Sequence, residues 1–322
     1  MIRHILISRT DAIGDVVLTL PLCGLIKQFI PTAKISFLGN SYTKELIDAC
    51  AYVDNFVNYS DWRNDDFAVQ QLKTLNIDAI IHVFPKKRIA SLASKAGIPT
   101  RIGTRNRIYH WIYCNSLIKL SRKKSELHEA QLNIKLLKGL GIEIELDLPE
   151  IQKHYGLQPK TRLDEGIENL LSKDKFNLIV HPKSAGSARE WSLNRYAELI
   201  NSLDPQQFQI FITGSTKEKT CLDPWIQGLK DRVIDLTGKF SLAQLLTFVS
   251  KADGLVAAST GPVHLAAASG INALGLYPNS SSINAQRWRP IGVKATYIQA
   301  EVEDIDAINP AIVLEKIKHW QK

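Results

Sequence analysis

What this sequence lacks narrows the field before its motifs are considered. The 322 residues hold four cysteines, Cys23, Cys50, Cys114 and Cys221, with no CxxC pair and no Cys/His cluster at zinc spacing. Scattered thiols of this kind suit a reducing compartment and exclude a disulfide framework. No window approaches the ~18 uncharged apolar residues of a membrane span. The N-terminal stretch MIRHILISRTDAIGDVVLTLPLCGL could be mistaken for a secretory signal, but Arg9, Asp11 and Asp15 interrupt every candidate apolar core. A cytoplasmic protein is expected. There is no GxGxxG fingerprint, which argues against an ordinary NAD enzyme, and no GxxxxGK[ST], which excludes a P-loop. Low-complexity tracts and repeats of 20–50 residues are also missing.

The most informative scarcity is local. Between Ala79 and Ser125 stand 11 Lys and Arg residues and no Asp or Glu, whereas the whole chain has 40 basic and 32 acidic residues. One stretch therefore exceeds the entire net charge of +8. A solvated basic face is the ordinary reading of such a run; 47 residues without an acid favour an anionic partner. Tyr109, Trp111 and Tyr113 interleave with the cations, as base stacking on RNA would require. The same run fits a partly buried helix face, no RNA motif accompanies it, and no nucleic-acid partner is expected.

Short β-rich runs alternate with helical patterns along the chain, the signature of parallel, doubly wound α/β sheets. Strands are expected at His4–Ser8, Lys34–Leu38, Asn55–Val57, Ala79–Val83 and Arg101–Ile102. In the second half they fall at Asn177–His181, Gln209–Thr213, Val233–Asp235, Gly254–Ala257 and Ala273–Tyr277. Helices fit Val16–Phe29, Thr43–Cys50, Phe67–Leu75, Ile89–Ala96 and His128–Leu140, then Leu193–Leu203, Lys217–Gly228, Leu242–Ser250 and Pro262–Ser269. The proline-flanked Asp147–Lys160 reads as a linker. Two Rossmann-like domains are expected, 1–152 and 153–322, facing across a cleft, with the last helix able to pack back on the first domain. Ligands in such sheets bind beyond the carboxyl ends of the strands.

Four loops at those ends carry candidate chemistry. Thr10–Asp15 forms the first strand-to-helix corner, with Gly14 for close backbone approach and Asp15 in the first helical turn. The alternative there is that Asp11 caps the helix and Asp15 only complements its dipole. Pro182–Trp191 offers small residues, hydroxyls including Ser184, and the cations Lys183 and Arg189, a composition suited to a phosphate. Thr260, Gly261 and Pro262 mark a helix start that forms a natural anion site, with His264 in its first turn. Glu218, in Phe211–Lys219, is placed to accept hydrogen bonds from a ribose or base. Asp304 and Asp306, beside Glu301 and Glu303, look like a metal-binding DxD, yet their position favours a solvated helix start; no metal and no cofactor are expected.

The succession IGDVVLTLP, HPKSAGSAREW, DLTGKFSLAQLL and STGPVHLAAASG resembles the ADP-heptose:lipopolysaccharide heptosyltransferase family, glycosyltransferase family 9. RIG at Arg101–Gly103 and HEAQLNIKLLKGLG at His128–Gly141 are lesser echoes, and the similarity spans essentially the whole chain. The resemblance implies a GT-B architecture and an inverting glycosyltransferase that moves heptose from ADP-heptose to a lipopolysaccharide core or lipid A-type acceptor. It implies Asp15 as catalytic base and an N-terminal acceptor domain. For the C-terminal domain it implies that Lys183, Ser184, Arg189, Thr260, Gly261 and His264 hold the donor diphosphate, with arginine at 189 where lysine is usual. Glu218 would serve the nucleoside. Ser259 stands where many members carry an aspartate near the sugar, which leaves the transferred sugar open. The basic stretch would then meet an anionic glycolipid through Lys86, Lys87, Arg88, Arg101, Arg105 and Arg107, with Gly14 beside the acceptor. Arg122, Lys123 and Lys124 would touch headgroups in peripheral contact with the inner membrane surface. Two other readings remain: a nucleotide-sugar epimerase on the same scaffold, and a non-catalytic binder of anionic glycan or nucleic acid.

Overall fold

A computed structural model describes residues 2–122, 125–184, 186 and 188–322. The chain divides into two compact units, Met1–Gln158 and Pro159–Lys322. Each holds one six-stranded sheet in which every pairing is parallel. The first contains β1 (His4–Ser8), β2 (Lys34–Gly39), β3 (Asn55–Asn58), β4 (Ala79–His82), β5 (Thr100–Thr104) and β6 (Ser116–Ile118), in the order β3-β2-β1-β4-β5-β6. The second contains β7 (Phe176–His181), β8 (Phe208–Ile212), β9 (Ile234–Asp235), β10 (Gly254–Ala258), β11 (Asn272–Tyr277) and β12 (Ala295–Gln299), in the order β12-β11-β10-β7-β8-β9. Both units thus wind outward in two directions from a central pair, β1/β4 and β7/β10. Those four strands are buried along their whole length, as expected of a parallel sheet covered on both faces. The strand order reverses at each pair, and the crevice beyond the carboxyl ends there is where such folds take ligands.

The expected helix Val16–Phe29 is in fact two, Ile13–Val17 and Leu20–Phe29. Pro21 explains the break: it has no N–H, and its ring in a continuous helix would strike the carbonyl of Val17. The Thr19 hydroxyl donates to the Asp15 carbonyl at 2.8 Å across the interruption.

The expected linker is also more structured than its composition suggested. Asp147 and Glu150 form a capping box on the helix Leu148–Ile151, and Ile151 and Tyr155 are buried. Gly156, at φ +59°, lies directly on the Tyr52 ring, where a Cβ would clash. The segment to Gln158 therefore packs on the first unit, and the division falls six residues beyond the expected 152/153 boundary. The last helix, Pro310–Ile317, completes the core of the second unit: Val313 and Ile317 are fully buried in the cluster that includes Leu199 and Ile200 of the helix Leu193–Ser202.

His82, at the end of β4, is fully buried, and neither ring nitrogen has a hydrogen-bond partner among the described residues. Burial, with His110 and Arg101 nearby, pulls its pKa down to about 3, so the ring stays neutral in the fold. The unfolded chain, with an ordinary histidine near 6.5, binds a proton that the native state refuses, and stability falls as pH drops through 6.5. This residue alone should cost about 2 kcal/mol between pH 7 and pH 5. Urea unfolding of His82→Leu should show that much less acid sensitivity than the parent; identical pH dependence would contradict the assignment.

Candidate functional site

Residues at the two crevices converge, one group in each unit. In the first, Arg9 follows β1 and is only 3% exposed. Its guanidinium serves three carboxylates: Nε donates to Asp11 at 2.7 Å, Nη1 to Glu129 at 3.2 Å, and Nη2 to Asp15. Glu129, 1% exposed, also accepts from Arg122 Nε at 2.8 Å. Arg122 in turn donates to the Val83 carbonyl and to Asn133 Oδ1. Burial pushes the Asp11 carboxyl up to about 6; Arg9 pulls it back and the charge of Asp15 adds to the rise. Asp11 does not cap the following helix, whose N-cap is Ala12 with no side-chain bond. Instead Tyr42 and Asn40 clamp the Thr10–Asp11 backbone from beyond β2. Asp15 is therefore half-buried, fixed by a buried arginine, and held at the β1/β4 switch point. Gly14 is an ordinary helical residue with no left-handed backbone.

The expected acceptor cations do not act as one group. Lys86 lies over the Tyr59 ring at 4.7 Å and the Phe84 ring at 5.7 Å; Arg9 lies over the same Phe84 at 5.9 Å, which puts Lys86 beside the Asp15 cluster. Lys87 is exposed at the start of the helix Lys87–Lys95. Arg88, however, pairs with Asp65 at 3.0 Å and donates to the Trp62 carbonyl. Arg101 donates to the carbonyls of Tyr113 and Ile98. These two hold the fold together. Arg105 and Arg107 are exposed on the loop after β5. Arg122, expected on an outer loop, is part of the buried network; Lys123 and Lys124 lie outside the described residues.

In the second unit the loop after β7 is organised by Glu190, which the sequence reading passed over. It pairs with Lys183 and accepts from the Ser184 backbone N–H at 2.8 Å and hydroxyl at 3.0 Å. Burial pushes the Glu190 carboxyl up, but Lys183 and Ser184 outweigh it and hold it below its ordinary value. Lys183 is thus already neutralised, while Arg189 is exposed with no ion-pair partner among the described residues. Trp191 anchors the loop, its indole buried and donating to the Ile308 carbonyl at 3.1 Å. Beyond β10, Thr260 caps the helix Gly261–Ala268 without a side-chain bond, and its buried hydroxyl has no partner among the described residues. His264 is buried in the first turn. Ser259 lies near the Tyr277 hydroxyl, which donates to the Trp288 carbonyl at 2.7 Å. At the end of β8, Glu218 closes a capping box with Ser215 at 2.7 and 2.8 Å. His181, another residue not anticipated, hydrogen-bonds Thr213 at 2.9 Å; burial lowers its pKa to about 4 despite Glu218 and Glu190.

Asp306 accepts from the Ser192 backbone N–H at 2.7 Å, and Asp304 accepts from that of Asp306, so the DxD pair fastens the chain end to the Trp191 loop. Among the described residues no three His, Cys, Asp or Glu side chains cluster as metal ligands would, and no helix is long and apolar enough to cross a membrane.

Each unit is thus a doubly wound parallel sheet with a candidate site at its switch point, a half-buried carboxylate in one and a helix start in the other. Residues 68–310 match the family model for glycosyltransferase family 9 (heptosyltransferase), and the chain belongs to that family. A Haemophilus influenzae protein named provisionally as a glycosyltransferase is 31% identical over 302 residues, covering 90% of this chain and 86% of that one. The lipopolysaccharide core heptosyltransferase OpsX of the same organism is 23% identical over 283 residues, covering 85% and 79%. The Escherichia coli heptosyltransferase WaaC with ADP superposes with a TM-score of 0.76 at 18% identity, over 99% of this chain and 100% of that one. The architecture is GT-B and the protein is a glycosyltransferase, which sets aside the epimerase and the non-catalytic binder.

Proposed function

We propose that the chain transfers heptose from ADP-heptose, with inversion, to a hydroxyl of an anionic glycolipid of the lipopolysaccharide core type. The carrying observation is Asp15, a carboxylate oriented by a buried arginine at the β1/β4 switch point. The donor assignment is supported by the ADP and ADP-2-deoxy-2-fluoro heptose named in two structures of the same fold.

In the proposed step an acceptor hydroxyl attacks the anomeric carbon, the bond to the diphosphate oxygen breaks, and the hydroxyl proton passes to Asp15. General-base assistance of this kind is worth ~10²–10⁴-fold. Arg9, always charged, holds Asp15 in place, and Asp15 accepts the proton because the hydroxyl acidifies as the new bond forms. Negative charge developing on ADP is met by Arg189 and by the N–H groups at the start of Gly261–Ala268, where the unpartnered Thr260 hydroxyl is available to donate. Lys86 and Lys87 meet the anionic groups of the acceptor, while Glu218 serves the nucleoside and Ser259 the sugar.

Arg189→Ala removes a charge-assisted contact to the diphosphate, of a kind worth ~1.5–3 kcal/mol. Calorimetric titration should show ADP affinity falling ~10–100-fold, with adenosine binding unchanged. Equal weakening of both ligands would remove Arg189 from the phosphate site.

A further inference from the structure

The acid-free stretch contains a short helix, Ile108–Tyr113, whose two faces differ sharply. Its inner face is committed to the fold. His110 is fully buried, and Tyr109 stacks on it and donates its hydroxyl to the Pro85 carbonyl at 2.9 Å. Of the three aromatics that suggested base stacking, only Trp111 is exposed, so the structure builds no stacking ladder. The outer face carries Ile108, Trp111 and Ile112, which are 84%, 61% and 68% exposed. These positions are spaced i, i+3 and i+4, so they form one contiguous apolar patch. Trp111 Nε1 donates to the Arg105 carbonyl at 2.9 Å, which ties down the polar edge of the indole while its ring stays outside.

Cations stand beside the patch. Arg105, Arg107 and Lys119 are exposed and have no ion-pair partner among the described residues. A cavity of about 590 Å³ continues the same character: Leu117, Ile118, Ile142 and Ile144 line it together with Arg105 and Lys119. Its carboxylates, Glu143 and Glu145, are paired with Lys138 at 2.9 Å and Lys135 at 3.6 Å. Exposed aliphatic and indole side chains bordered by unpaired cations match the boundary of an anionic bilayer, where rings and aliphatic groups enter at headgroup depth and cations meet lipid phosphates.

We infer that Ile108, Trp111 and Ile112, bordered by Arg105, Arg107 and Lys119, dock the N-terminal unit on an anionic lipid surface. This inference rests on the glycolipid-acceptor reading, because it supplies the means of reaching a substrate held in a membrane. The test uses the full chain with vesicles of phosphatidylcholine, with and without phosphatidylglycerol. The parent should co-sediment only with phosphatidylglycerol vesicles, release at high salt, and show a tryptophan blue shift that Trp111→Phe abolishes. The variant I108S/W111S/I112S should lose at least tenfold in vesicle affinity, with ADP affinity and thermal midpoint unchanged. R105S/R107S/K119S should lose vesicle binding to a similar degree.

Failure of the parent to bind anionic vesicles, or undiminished binding by the apolar variant, would overturn the inference. So would a solution dimer that the apolar variant abolishes, since the patch would then be a contact between two copies. A water-soluble, deacylated acceptor separates this inference from the functional reading beneath it. The apolar variant should match the parent on that acceptor and fall behind only on the vesicle-embedded one. Transfer to the soluble acceptor without vesicle binding defeats docking alone; vesicle binding without transfer to either acceptor defeats the heptosyltransferase reading alone.

Discussion

Asp15→Asn should lower turnover by ~10²-fold or more while leaving the dissociation constant for ADP within twofold. The amide keeps the size of the carboxylate and can still accept from Arg9, so the loop and helix should persist and the lost rate should report chemistry. The effect belongs in kcat as well as kcat/KM, since the base acts in the transition state and not in holding the donor. A variant that keeps turnover within a few-fold would return Asp15 to the lesser role of complementing the helix dipole. Because Asp11 is held by the same arginine, Asp11→Asn is the natural comparison: burial pushes its carboxyl up to about 6, and its loss should lower turnover far less than loss of Asp15.

Arg9→Met should be the most destabilising single substitution in the first unit. It removes the guanidinium that Asp11, Asp15 and Glu129 share, while Arg122 still pairs with Glu129. Removing one partner from a buried ionic cluster costs ~3–5 kcal/mol, because the carboxylates left behind lose the counter-ion they share. The pH dependence follows from the sign of the change. Without Arg9 the carboxyls bind protons more tightly in the folded state than in the unfolded chain, so stability is lost as pH rises through their raised values. Urea unfolding should therefore show a larger deficit at pH 7 than at pH 5. A deficit below about 1 kcal/mol at pH 7 would mean that the cluster is solvated and organises little. Arg9→Lys should recover only part of the loss, since a single ammonium cannot present a planar fork to three carboxylates.

The central strands were legible in the sequence because they are buried on both faces and read as continuous apolar runs: His4–Ser8 and Gly254–Ala258 carry their own signal. Two of the edge strands, β6 and β12, were not. Ser116–Ile118 has three half-buried residues, and Ala295–Gln299 alternates weakly beside lysine and glutamine, so neither stands out from a loop. The helix expected over His128–Leu140 ends as an α-helix at Ile134 and tightens into a 3-10 segment, Lys135–Leu140, where Gly139 packs directly on Ile102. That shortening depends on a contact with β5 that no local pattern announces.

Within the site, positions were more legible than pairings. The placement of Asp15, Arg189, Thr260 and His264 beyond the strand ends was readable because strand-to-helix corners are recognisable. Arg9 and Glu129 are 120 residues apart, and nothing local shows that they share a buried ion pair. A hint existed in Arg9, a charge set immediately after an apolar central strand. Glu190, sitting between Arg189 and Trp191, reads as surface charge, yet it cancels Lys183 and fixes Ser184. Charge counting along the sequence gave the donor loop two cations where the structure leaves one exposed.

Release of ADP from ADP-heptose, followed with and without a lipopolysaccharide-core acceptor, tests the central claim most directly. The purified protein should release ADP only when acceptor is present, in step with heptose added to the acceptor and with inverted configuration at the anomeric carbon. ADP release that ignores the acceptor, transfer with retained configuration, or turnover only with a different nucleotide sugar would contradict it.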